Sequence, residues 1–343
     1  LEFERTRGFR RAEPQVAADA VDPYAPVPGI YGSEELRGIS PTEIKTSAFF
    51  LENSLQLSDR LSLVAAFRYE ELELDRLNFN SSGVKEASSF QRDFDWTSWR
   101  IGSVLKLREN VAAYVQYSDA KDPINANIFL VSGGEDLDLT DAEQLEIGLK
   151  AVLPDPGIEA TIAYFDIQRD DVLEQIGVDR AAMVGGRESN GLEFTATWAA
   201  SEQLNIGINA AQTNAEFSRS TNFQNFAGNT PPNVPERTTN IWTSYDFGST
   251  PLQIGAAIRT VSDRFGDNAN NITLKSYSLI DAFASWTRNN VIVSARVNNA
   301  LDEEYLPWSD VFYLGQNDPG FIYANQLMLG SPRTYEISVA ASF

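Results

Sequence analysis

The feature that most constrains this chain is a period of two in its hydrophobicity, repeated in segment after segment. In 61–69, Leu61, Leu63, Ala65, Phe67 and Tyr69 share one face, while Ser62, Ala66 and Arg68 take the other. In 145–153, Leu145, Ile147, Leu149, Ala151 and Leu153 oppose Glu146, Gly148 and Lys150. Leu204, Ile206 and Ile208 alternate with Asn205, Gly207 and Asn209, and Val291, Val293, Ala295 and Val297 with Ser294, Arg296 and Asn298. Ile241, Thr243, Tyr245 and Phe247 repeat the pattern, and Trp99, Ile101, Leu105 and Leu107 follow it with weaker contrast. Successive side chains of a strand point to opposite faces, so this spacing predicts strands, and no long segment carries a helical period. The chain reads as all-β.

The links between these segments alternate in length. Short, turn-like links fall at Ser58-Asp59-Arg60, Arg108-Glu109-Asn110, Pro154-Asp155-Pro156-Gly157, Ser201-Glu202, Gly248-Ser249-Thr250-Pro251 and Arg288-Asn289-Asn290. Long polar links fall between them, at roughly 10–41, 77–92, 120–140, 170–183, 218–235, 264–276 and 301–328. A soluble sandwich has no reason to sort its connections this way. A transmembrane barrel does, with tight turns at one rim and long loops at the other. The pattern predicts an antiparallel up-and-down barrel wall of about fourteen strands, each longer than a soluble sheet needs. No stretch approaches the ~20 apolar residues of a spanning helix, but a barrel strand crosses with about ten residues of alternating polarity. The last strand, Tyr335, Ile337, Val339, Ala341 and Phe343, alternates up to an aromatic residue, a form that resembles the signal read by outer-membrane insertion machinery, the competing reading being an ordinary final strand that ends in Phe.

Composition removes several function classes. Lys and Arg number 27 against 48 Asp and Glu, a net charge of −21, which opposes nucleic-acid binding. His and Cys are both absent. That rules out a Ser-His-Asp triad, a thiolate nucleophile, a His/Cys zinc site and histidine-ligated haem within these residues, and points away from an enzyme. No resident cofactor is expected.

The ordered motifs AEQLEIGLK (142–150), ATIAYFDIQRDDV (160–172), SNGLEFTATW (189–198), VNNALDEEY (297–305) and LGSPRTYEISVAASF (329–343) resemble the TonB-dependent outer-membrane receptors, in particular their ferric-siderophore branch. GNTPPNVPERTTNIWTSYDF at 228–247 resembles that family's Pro-rich approach to a late strand, and DPYAPVPGIYG at 22–32, followed by 47–70, a mid-barrel loop and hairpin. The resemblance implies one region, 1–343, comprising roughly the last fourteen of about twenty-two barrel strands, with the family's N-terminal plug and first strands not present. It also implies a multi-pass protein of a Gram-negative outer membrane, in contact with its lipid and lipopolysaccharide. Its ligand would be a ferric siderophore held at the extracellular loops, and TonB would engage it through a plug segment outside this chain. Cobalamin, an oligosaccharide or an aromatic compound would suit the same architecture, and a passive pore is the other reading. Ala300-Leu301 and Asp170-Asp171 depart from the pairs common in the family.

Aromatic loop residues are the ligand-contact candidates, since such rings bury a chelate while polar groups orient it. They are Trp308, Phe312, Tyr313 and Tyr323 in the last long link, with Phe129 and Phe226 in earlier ones. Packing of a loop on itself, or a place in an interfacial aromatic girdle, is the competing role for each. The acidic run Glu135, Asp136, Asp138, Asp141 and Glu143 lacks the spacing of a calcium loop and reads as a solvated loop. Arg68, Arg100, Arg259 and Arg296, with Glu52, Glu70, Glu146 and Glu193, are expected on the polar face as wall-stabilising pairs or a permeation lining. Asn299 and Asp302 suit a turn in which short polar side chains bond their own backbone, and Gly191 a site where crowding is relieved or a bulge is permitted as a strand enters the barrel.

Overall fold

A computed structural model describes residues 2–8, 39–80, 82–123, 137–177, 180–219, 226–310 and 326–342, and these contain no helix. The strands run β1 (Glu2–Gly8), β2 (Thr42–Gln56), β3 (Leu61–Arg76), β4 (Phe90–Arg108), β5 (Val111–Asp122) and β6 (Thr140–Leu153). They continue through β7 (Ile158–Gly177), β8 (Arg180–Ala199), β9 (Leu204–Arg219), β10 (Arg237–Asp246), β11 (Leu252–Val261), β12 (Arg264–Phe265) and β13 (Thr273–Leu274). The last five are β14 (Tyr277–Arg288), β15 (Val291–Asn298), β16 (Trp308–Asp310), β17 (Gln326–Met328) and β18 (Thr334–Ala341). One 14-stranded sheet holds all but two small hairpins, β12–β13 and β16–β17, and its order follows the chain. Every neighbouring pair is antiparallel. The expected up-and-down wall is therefore present, and among the described residues the sheet is open between β1 and β18.

Register converts the alternation into two continuous faces. Leu51, Phe67 and Trp99 line up across β2–β4, and Val115, Ile147, Tyr164 and Leu192 across β5–β8. Ile208, Ile241, Ile258 and Ile280 continue the row across β9–β14. The opposite face carries Glu52, Arg68, Arg100, Glu146, Lys150, Asn209, Asn240, Arg259 and Arg296. Most large side chains of the apolar face are open, Leu51 at 62% and Ile101 at 52%, so nothing among the described residues covers them. Aromatic rings mark both margins of this band. Trp99 and Tyr117 lie 5.4 Å apart toward the long-connection end, and Tyr245 and Phe247 5.0 Å apart toward the short-turn end. Such girdles flank the apolar band of a barrel that crosses a bilayer.

Above the Tyr69 level the two faces exchange chemistry without a break in β3. Glu71, Glu73 and Asp75 now stand exposed where Leu63 and Phe67 stood, while Leu72 and Leu74 on the other face are buried to 3% and 2%. β4 repeats this, with Asp93 and Asp95 opposite Phe94 and Trp96. The physical reason is a change of surroundings: one face passes from an apolar medium to water, and the other meets packed connections. Leu139 packs with Leu72, Leu74 and Trp96, and Leu137 with Leu173, against Phe90 and Phe94.

The tight turns have local causes. Ser58 Oγ accepts the amides of Arg60 and Leu61, and Ser201 Oγ those of Gln203 and Leu204, each closing a turn within its own segment. Asn289 adopts a φ of 50°, which asparagine tolerates, between β14 and β15.

One connection differs from expectation. Residues 170–183 are not a long link: β7 and β8 run on to Gly177 and from Arg180. Register shifts at Asp170/Val172, Val172/Leu173 and Gln175/Gly177 on β7, and at Gly186/Arg187 on β8, interrupt the alternation. A bulge reverses the facing of every residue beyond it, so a strand with several bulges loses its period in the sequence.

The polar face also explains several glycines. Tyr114 lies across Gly148, Phe165 across Gly191, Trp242 across Gly207 and Phe283 across Gly255, each pair on adjacent strands. A Cβ on Gly207 would sit 2.2 Å from the Trp242 ring. At Gly148, Gly207 and Gly255 the ring takes the volume that a side chain would need, while at Gly191 a Cβ would meet the Gln212 backbone oxygen at 2.0 Å before the Phe165 ring, so that glycine relieves crowding between backbones.

Candidate ligand-binding end

The long-connection end is built from polar side chains that complete backbone hydrogen bonds across distant segments. Asn299 is buried at 4% and acts as a hub. Its amide donates to Asp281 Oδ1, its Nδ2 to the carbonyls of Glu303 and Ser331, and its Oδ1 accepts the Glu303 amide. Asp302 Oδ1 accepts the Arg333 amide at 2.8 Å, and the Gly330 amide donates to Tyr305 O. The two ends of the 299–333 connection are thereby fastened together. Asn299 and Asp302 take φ values of 50° and 58°, as short polar turn residues can. Tyr305 covers Gly330 and stacks near Tyr277, with ring centroids 4.6 Å apart.

A second set ties this connection to the earlier ones. Asn233 Nδ2 donates to Ser309 O, and the Ser309 amide returns a bond to Asn233 Oδ1, both at 2.8 Å. The Asn233 amide donates to Phe265 O, and Asn270 bridges both backbone groups of Thr230. Asp267 Oδ1 accepts the amides of Asn271 and Ile272. Arg264 is buried at 4%; its Nη2 donates to Leu306 O and its guanidinium lies 5.3 Å from the Tyr277 ring centroid.

These segments border a cavity of about 700 Å³ at the outer ends of β8 and β9. Glu188, Glu216, Glu236 and Asp263 supply its carboxylates, and Arg264 is the cation in its lining. Backbone donation from Ser276 holds the Asp263 carboxyl below the usual carboxylate range against the opposing effect of desolvation, with a side-chain bond from Ser276 and the charges of Lys275 and Arg264 acting the same way as the backbone bond. Asn190, Asn214 and Thr230 add neutral donors and acceptors, while Val234 and Phe265 add apolar surface. That volume lies within the range of small-molecule sites, but the lining is mainly polar and acidic where such sites are mostly apolar.

The aromatic candidates fall in different settings. Trp308 stands half exposed, at 51%, on β16. Phe226 is buried at 7% with its ring 6.4 Å from that of Phe217, so it packs against the wall. Phe129, Phe312, Tyr313 and Tyr323 lie outside the described residues. Of the acidic run, Asp141 pairs with Lys121, Glu143 accepts from the Tyr117 hydroxyl, and Asp138 accepts the Leu139 amide, while Glu135 and Asp136 lie outside the described residues. On the polar face Arg68 pairs with Glu70 at 2.9 Å and Arg100 with Glu52, while Glu146 is held by the Tyr114 hydroxyl. Arg296 lies opposite Glu336 in register. Arg264, Asn233, Glu188 and Glu216 escaped sequence reasoning. The signal available for Asn233 was an asparagine set between prolines, where the chain must turn.

An open antiparallel wall with one apolar and one polar face, short turns at one rim and stitched connections at the other defines a membrane-barrel segment. The chain belongs to the TonB-dependent receptor family: the family model for the TonB dependent receptor-like β-barrel matches residues 2–300. A probable TonB-dependent siderophore receptor, PiuA of Acinetobacter baumannii, is 24% identical over 76% of this chain and 37% of its own length. The ferrichrome outer membrane transporter and phage receptor of Escherichia coli is 27% identical over 76% of the chain and 35% of its own length. In structure, the ferric-catecholate import receptor Fiu of E. coli superposes with a TM-score of 0.80 at 18% identity, covering 99% of this chain and 51% of Fiu. The PiuA crystal structure gives a TM-score of 0.73 at 21% identity, covering 89% of the chain and 44% of PiuA. The chain thus spans less than half the length of these curated relatives. Members of this family are transport receptors rather than enzymes.

Proposed function

We propose that this chain is wall and outer rim of a Gram-negative outer-membrane receptor that takes up a ferric siderophore with energy supplied through TonB. The apolar face lies against lipid and lipopolysaccharide acyl chains, the polar face lines the interior, and the long-connection end faces outside and holds the ligand. The observation that carries this reading is the exchange of polarity between Tyr69 and Leu72, which fits a lipid boundary directly below a packed outer end. The siderophore names of the curated relatives support the ligand class. TonB would act on a part of the protein outside this chain.

Uptake of 55Fe-labelled chelates by iron-starved cells expressing the full-length protein tests it. Accumulation that depends on both the receptor and TonB supports the proposal. No accumulation from any chelate class overturns it, and a steady large conductance of the intact protein in planar bilayers would assign a pore instead.

A further inference from the structure

We propose that the three outer connections 226–237, 262–276 and 299–309 form one cooperative cap, which opens as a unit or not at all. The cap goes beyond the uptake reading and does not depend on it, since it would serve a pore or a receptor for another ligand equally well.

The ties between these connections close a triangle. The first and second are joined at Thr230, whose amide and carbonyl both bond the Asn270 carboxamide, at 2.9 and 2.8 Å. Asn229 Nδ2 adds a bond to Asn268 O, and the Asn233 amide one to Phe265 O. The first and third are joined by the Asn233 side chain, which bonds both backbone groups of Ser309. The second and third are joined by Arg264, whose Nη2 donates to Leu306 O. Each connection is held by the other two, so moving any one away breaks two sides of the triangle.

The chemistry of the ties favours all-or-none opening. The side chains buried here are largely polar: Arg264, Asp267, Asn299 and Ser309, beside Leu274 and Phe226. The two apolar clusters of the outer end lie elsewhere, around β3, β4, β7 and the 137–139 segment. Apolar contacts are non-directional and can loosen by degrees. A buried hydrogen bond is directional, and its half-broken form leaves donor or acceptor unpaired, which is the costly state. Fully stitched and fully solvated caps both avoid that cost, and partly opened ones do not. Asn233 and Asn270 hold φ values of 64° and 57°, so the two residues that carry most of the ties are also fixed in backbone.

Native-state hydrogen exchange of the full-length protein in lipid vesicles, read residue by residue at rising urea, tests the cap. The reporters are the amides of Thr230, Ile272 and Ser309, one in each connection and each bonded to a side-chain oxygen. A single opening predicts protection equal within about threefold, and one urea slope, for all three. Asn270→Gly removes the Thr230 ties while keeping a residue that accepts a φ of 57°. It touches no bond of Ser309, yet the Ser309 amide should lose at least about fivefold in protection, with β10 amides unchanged. Ser309→Ala removes a hydroxyl that has no partner among the described residues, and should lower none of the three. Loss of protection in Ser309→Ala would assign the coupling to packing and overturn the hydrogen-bond account. Unequal slopes in the wild type overturn the cap without need of any variant. A Ser309 amide unmoved in the folded Asn270→Gly protein overturns it too.

Discussion

Asn233 and Ser309, 76 positions apart, exchange two hydrogen bonds of 2.8 Å in which an asparagine side chain stands in for a strand's backbone. Asn233 holds a φ of 64°, and Ser309 is buried at 1%. The carboxamide therefore completes the ladder of β16 on the side away from β17, and it fixes where the last long connection sits over the cavity border. Asn233→Ala leaves a buried amide and carbonyl of Ser309 unpaired, a loss of about 1–3 kcal/mol in that region. Hydrogen exchange should show faster exchange at Ser309, with the amides of β9 and β10 unchanged. Uniform protection in the variant would show that the pair is dispensable.

The glycine cradles on the polar face make a prediction about packing. Gly207→Ala drives a methyl into the Trp242 indole and should destabilise the sheet by about 1–3 kcal/mol. Combining it with Trp242→Ala should recover part of that loss, because the two changes touch the same space. Urea titration in lipid vesicles, followed by circular dichroism, measures the cycle.

The boundary in the wall predicts opposite outcomes for one substitution at two heights. Ile147→Arg, within the apolar row, should cost about 2–4 kcal/mol in a bilayer. Asp93→Arg, exposed above it, should fall within about 0.5 kcal/mol of wild type. The same vesicle titration distinguishes them.

The Asp263 carboxyl has a depressed folded-state pKa, so its contribution is present above the unfolded value and lost as pH falls through the folded one. Asp263→Asn should remove that contribution at neutral pH and flatten the acid dependence of local stability. The signal of the Ser276 amide, which donates to Asp263 at 2.5 Å, should shift with acid in the wild type and stay still in the variant.

The wall was legible in the sequence because its physics is local. Alternation at Leu61–Tyr69 or Leu145–Leu153 follows from one face against apolar surroundings, and Ser58 or Asn289 announces a turn within a few residues. Asn299 and Asp302 were legible for the same reason. The β7–β8 extension was not, since bulges at Asp170 and Gly186 scramble the period. Nor were the cavity's residues: Glu188 opposite Glu216, and Arg264 reaching Leu306, are juxtapositions made by register and by connections far apart in the chain. Aromatic content alone drew attention to Phe226, whose ring the fold spends on packing against Phe217.

The account turns on which face of these strands meets lipid. A nitroxide scan along β3 of the full-length protein in bilayers, residues 61–76, measures it directly through oxygen and nickel-chelate accessibility. Labels at 61, 63, 65, 67 and 69 should be accessible to oxygen alone. Those at 71, 73 and 75 should answer to the water-soluble nickel chelate, and those at 72 and 74 to neither reagent. Nickel-chelate access at 61–69, or no change of behaviour between 69 and 72, would contradict a lipid boundary at that level and the receptor reading built on it.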